Sequence, residues 1–77
     1  MTPEARVKNE IKKMLDAHKV YYFMPAANGY GRAGIPDIVC CINGYFFAIE
    51  CKAGKGKTTA LQDRELIAIH KAGGSAV

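Results

Sequence analysis

Acidic side chains are the scarce class in this sequence. Seven Asp and Glu stand against eleven Lys and Arg in 77 residues, giving a formal net charge of +4 and a pI of about 9.1. That deficit favours an anionic partner, nucleic acid being the commonest, although many small domains are basic for solubility alone. Long apolar runs are also missing. None approaches the roughly 20 residues of a membrane span, and the opening MTPEARVKNE is polar and charged, unlike a secretory signal. No membrane partner is expected. Cysteine is sparse: Cys40, Cys41 and Cys51 are odd in number and two are adjacent, which suits neither a disulfide framework nor a C-x-x-C metal knuckle. They read as small buried hydrophobes in a reducing, intracellular setting, the cytoplasm of a bacterial or phage-infected cell. Internal repeats and interdomain linkers are absent, so residues 1–77 read as one domain. A chain this short buries only about 60% of its unfolded surface, and a metal or a second subunit would strengthen its core.

What is present is a regular alternation of elements. Thr2-Pro3 is a helix start, and Val7, Ile11, Met14 or Leu15, and His18 recur at helical spacing, predicting an amphipathic helix over 3–18. Lys8, Lys12 and Lys13 should face water. VYYFM, 20–24, reads as a strand, and the Gly-, Asn- and Pro-rich stretch 25–36 as a loop. DIVCCI and YFFAIECK are strands joined by Asn43-Gly44, a strong hairpin signal. A flexible basic loop follows. A helix capped by Thr58 or Thr59 then runs to Gly73-Gly74, and Ser75-Ala76-Val77 begins a last strand. The fold class is α/β: a small mixed β-sheet flanked by helices, in the order α-β-β-β-α-β. Both faces of the hairpin are apolar, so both should be covered.

The hairpin register makes the chemistry specific. A two-residue turn sets Ile42 opposite Tyr45, and counting outwards reaches Ile38 opposite Ile49 and then Asp37 opposite Glu50. Lys52, two residues on, points to the same face. Like charges directly opposite are destabilising. A divalent cation between them removes the repulsion, and Mg²⁺ or Mn²⁺ takes one or two carboxylates together with waters and phosphate oxygens. The plainer account leaves Asp37, Glu50 and Lys52 at a frayed strand end in water. With the lysine and the Gly-rich approach beside them, the metal site is the better account. Such a metal activates water and polarises a phosphoryl oxygen, and Lys52 can position the attacking water or stabilise the developing charge. Glu10 could add a third carboxylate if the first helix packs on this face.

Gly34-Ile35-Pro36-Asp37, Glu50-Cys51-Lys52 and Gln62 together resemble the VRR-NUC branch of the PD-(D/E)xK nucleases, in its stand-alone phage and bacterial form. The resemblance runs from Glu10 to Gly74 and implies a restriction-endonuclease-like core and metal-dependent hydrolysis of DNA phosphodiesters. It implies metal ligation by Glu10, Asp37, Glu50 and the backbone carbonyl of Cys51, with Lys52 as catalytic lysine and Gln62 facing the site. It also implies a homodimer of the architecture of Holliday-junction resolvases, hence a structure-selective endonuclease acting on branched DNA. The family normally completes the strand begun at Ser75 and often adds a further helix. Around the site, Arg32, Lys55 and Lys57 could hold phosphates and Tyr30 could stack on a base. Tyr21, Tyr22, Phe23 and Met24 exceed what one small sheet needs and suggest a subunit contact. His18 and His70 end helices and carry no catalytic expectation. A P-loop is excluded, because its first glycine would fall on Cys51. The alternative class is a non-catalytic nucleic-acid-binding module, or a subunit of a larger DNA-processing complex. The binding module would keep the basic loops but has no need for Asp37 facing Glu50.

Overall fold

A computed structural model describes residues 2–26, 33–54 and 56–77. Helix α1 covers Pro3–Ala17, with the Thr2 hydroxyl accepting from the Ala5 N–H at 3.1 Å. It stops one residue before the expected end. His18 is the cap, and Lys19 adopts a left-handed φ of 56°, turning its own N–H and that of Val20 back onto the carbonyls of Asp16 and Leu15. Val20 therefore has no N–H for a ladder, and Pro25 has none at all. The first strand, β1, is accordingly confined to Tyr21–Phe23 within the expected 20–24.

Strands β2 (Ile38–Ile42) and β3 (Tyr45–Ile49) pair in the register read from the turn, from Ile42 opposite Tyr45 to Ile38 opposite Ile49. Asn43 and Gly44 both have positive φ, 51° and 84°, as a type I′ turn requires. Helix α2 (Ala60–Lys71) is capped by Thr59 and closed by Gly73 and Gly74, whose N–H groups reach His70 and Ile69. Strand β4, Ser75–Ala76, lies parallel to β3. The sheet order is β1-β2-β3-β4, antiparallel except for the last pair, so the domain is a small mixed α/β sheet with two helices.

The core forms where α1 meets the sheet. Leu15, Ile38 and Cys51 are buried together, with Val7, Ile11, Val20, Tyr22 and Ile49 packed around them. Two expectations need correction. Lys8 does not point to water, because it lies about 40° around the helix from Glu4 and close to the Ile11 direction, and its ammonium meets Asp37. Nor are both sheet faces fully covered. The row Tyr21–Cys41–Phe46 and the neighbouring Phe23 stay exposed, because cover on that face is confined to its β3–β4 end, where Ala48 and Ala76 are buried.

Candidate functional site

The site lies where β2 begins and β3 ends, between the N-terminal ends of the two helices. The last ladder pair is Ile38–Ile49, and the next residues outward are Asp37 and Glu50. Backbone bonds fix both. The Cys51 N–H donates to Asp37 Oδ2 at 2.9 Å, and the Glu50 N–H donates to the Val77 carbonyl at 2.8 Å. The brief strand β4 thus helps to hold a site residue in place.

Gln62 is positioned by helix capping. Its Oε1 accepts the Thr59 N–H at 2.8 Å, and its backbone N–H donates to the Thr59 hydroxyl at 3.2 Å. With its oxygen committed to a donor, the amide turns its nitrogen to Glu50, donating to Oε1 at 2.8 Å. The approach of α2 that makes this possible depends on Gly34. That residue has a φ of 84°, and a Cβ there would lie 2.4 Å from the Leu61 carbonyl oxygen.

Three carboxylates converge. One oxygen each from Glu4, Asp37 and Glu50 lie within 4.8 Å of one another. Two ammonium groups answer them. Lys52 Nζ is 3.8 Å from Glu50 Oε1 and 4.0 Å from Glu4 Oε1, and Lys8 Nζ is 3.6 Å from Asp37 Oδ1. Glu50 is the most enclosed of the three, with its side chain only 4% exposed and its Oε2 buried without a hydrogen-bond donor. Burial, and then the neighbouring Asp37 carboxylate, push the Glu50 carboxyl up to about 7 against the pull of Lys52.

Asp37, Glu50, Lys52 and Gln62 are brought together as the sequence suggested. Cys51 lies between two of them, but its side chain is in the core and its N–H serves Asp37. Glu10 is not at the site. It is about 240° around α1 from Glu4, 75% exposed, and paired with Lys13. Glu4 takes the place expected of Glu10. The sequence carried a signal for both Glu4 and Lys8: they fall on the stripe of Val7, Ile11 and Leu15 when the helix is wound at 3.6 residues per turn. Lys57 is exposed on the loop before α2. Tyr30, Arg32 and Lys55 lie outside the described residues. No described helix is long and apolar enough to cross a membrane.

Comparison of the chain with protein families, with curated proteins and with solved structures finds no match. The geometry of the site therefore carries the functional reading.

The donor set suits a hard divalent cation. It consists of carboxylate oxygens, one of them buried and lacking any donor, and among the described residues no cysteine or histidine joins the three within 4.8 Å. Mg²⁺ and Mn²⁺ prefer such oxygens.

Proposed function

We propose that this chain is a metal-dependent DNA nuclease hydrolysing phosphodiester bonds. The observation that carries the reading is the Glu50 oxygen, buried without a donor beside the oxygens of Asp37 and Glu4. A buried carboxylate oxygen left unpaired is costly, and a cation ligand is the simplest use for it. Glu4, Asp37 and Glu50 would hold Mg²⁺ or Mn²⁺. When bound, such an ion acidifies a water and polarises a phosphoryl oxygen.

The chain's own residues supply the rest. Lys52 stands between Glu50 and Glu4, where its ammonium can orient the attacking water or meet charge that develops on the phosphate. Gln62 fixes the rotamer of Glu50 through a rigid helix cap. Lys57 and the chain's excess of positive charge support attraction of the polyanion. Branched DNA, such as a Holliday junction, is the proposed substrate and a homodimer the proposed working form, both resting on the resemblance to stand-alone VRR-NUC nucleases. Three free thiols support an intracellular place of work.

The test is cleavage of labelled linear, nicked, flapped and four-way DNA with Mg²⁺, with Mn²⁺ and with a chelator. Lys52→Ala and Glu50→Ala should each lower cleavage by about 10²–10³-fold, the size expected for loss of a charge-stabilising group, while DNA binding persists. If both variants cut like the parent, the nuclease reading fails. Binding without cleavage by the parent chain would favour a nucleic-acid-binding module.

A further inference from the structure

Lys8 has no role in the chemistry outlined so far, yet it sits inside the site. Its ammonium is 3.6 Å from Asp37 Oδ1, while Asp37 Oδ2 is held by the Cys51 N–H. Both oxygens of the carboxylate are therefore engaged, one by a cation that a metal would have to face. Lys52 is likewise shared between Glu50 and Glu4. Among the described residues, Glu50 Oε2 is the carboxylate oxygen that is both buried and free of any donor. In this arrangement the two ammonium groups occupy the carboxylates that a divalent ion needs.

A charge count shows what the second ammonium is for. Three carboxylates and two lysines leave one negative charge. A divalent ion converts this to one positive charge, the match for one phosphodiester. Without Lys8 the loaded site would be neutral and would lose that match. Lys8 is also able to move: its side chain is 31% exposed, and it hangs from one turn of α1 at the rim of the site, whereas Glu50 is enclosed.

Building on the nuclease reading, we infer that Lys8 is a phosphate-binding residue that exchanges partners. Its ammonium rests on Asp37 in the metal-free chain, leaves it as the carboxylate takes a cation, and meets a non-bridging oxygen of the bound phosphodiester. Metal and phosphodiester then bind cooperatively, because each removes the competitor of the other.

The experiment compares the parent chain with Lys8→Met and Lys8→Arg. Lys13→Met, the same loss of charge on the far side of α1, serves as control. Mn²⁺ affinity is measured by calorimetry, alone and with dimethyl phosphate at high concentration. Affinity for a short DNA duplex is measured by anisotropy in Ca²⁺ over a range of salt. Lys8→Met should bind Mn²⁺ several-fold more tightly than the parent when no phosphodiester is present. Dimethyl phosphate should tighten Mn²⁺ binding in the parent and in Lys8→Arg but not in Lys8→Met. The slope of log affinity for the duplex against log salt should fall by about one in Lys8→Met. The inference is overturned alone if the parent binds Mn²⁺ through Glu50, as loss in Glu50→Ala would report, yet Lys8→Met matches Lys13→Met in every titration. Both it and the nuclease reading are overturned if the parent binds no Mn²⁺.

Discussion

Glu50 is a costly residue for the chain to keep. Its ordinary carboxyl would titrate at 4.5, and in the folded chain it titrates at about 7. Between those values the folded chain retains a proton that the unfolded chain has lost. The contribution to stability is therefore complete below about pH 4.5 and declines as pH rises to about 7. Glu50→Gln keeps the shape and the acceptor for Gln62 while removing the charge. We predict that the parent's Tm falls relative to that of Glu50→Gln across this window, as thermal unfolding in a pH series would register. Mn²⁺ should recover the parent's Tm above the window and leave Glu50→Gln unchanged. Parallel profiles for the two proteins would remove the premise that Glu50 is strained by burial and by Asp37.

At the scale of elements, α2 must come close to the turn before Asp37, and two glycine-sensitive positions reveal how the helices are placed. At Gly34 a methyl would collide with the Leu61 backbone and face a left-handed φ as well. Gly34→Ala should cost about 2–4 kcal/mol, combining backbone strain with overpacking, and should loosen Mn²⁺ binding by displacing Gln62. Chemical denaturation and calorimetry would check the two effects. Lys19 is the reverse case: a non-glycine residue holds the left-handed position that closes α1. Lys19→Gly should stabilise the chain by about 0.5–1 kcal/mol, since the strain relieved slightly exceeds the entropy that glycine adds to the unfolded state. An unchanged or lower denaturation midpoint would contradict it.

The same elements explain what could be read from the chain beforehand. Asn43-Gly44 is a local code, so the strand register and the meeting of Asp37 with Glu50 were legible. The Thr59–Gln62 cap is also local, and it pointed Gln62 to the right place. Glu4 and Lys8 were legible in principle, because helical winding puts them on the apolar stripe, whereas Glu10 rested on its place between the apolar positions and the polar flank and on the family pattern. The role of Gly34 was not legible. Its partner is the Leu61 carbonyl, brought near only by the tertiary fold, and no local pattern announces such a contact.

At the scale of the whole molecule, the sheet is unevenly dressed. Six hydrophobic residues among those described are buried, whereas Tyr21 is 73%, Phe23 50% and Phe46 48% exposed. The first two belong to β1, an outer strand of the sheet, and the register carries the open face from Tyr21 across Cys41 to Phe46. Burying an aromatic side chain completely contributes about 1.5–3 kcal/mol, so two or three partly exposed ones on each of two copies would add appreciably to what a core this small supplies alone. A twofold contact presents the same patch from each copy, so Phe23 would be buried twice. We therefore predict that the chain sediments as a dimer and that Phe23→Glu, placing two like charges in that contact, sediments as a monomer with a lower Tm. Because Phe23 belongs to β1, which supplies no residue to the site, the monomeric variant should retain Mn²⁺ binding at Glu50. A parent chain that sediments as a monomer would end the homodimer reading. A Phe23→Glu chain that still dimerises would move the contact elsewhere and leave the open face of β1 without a partner.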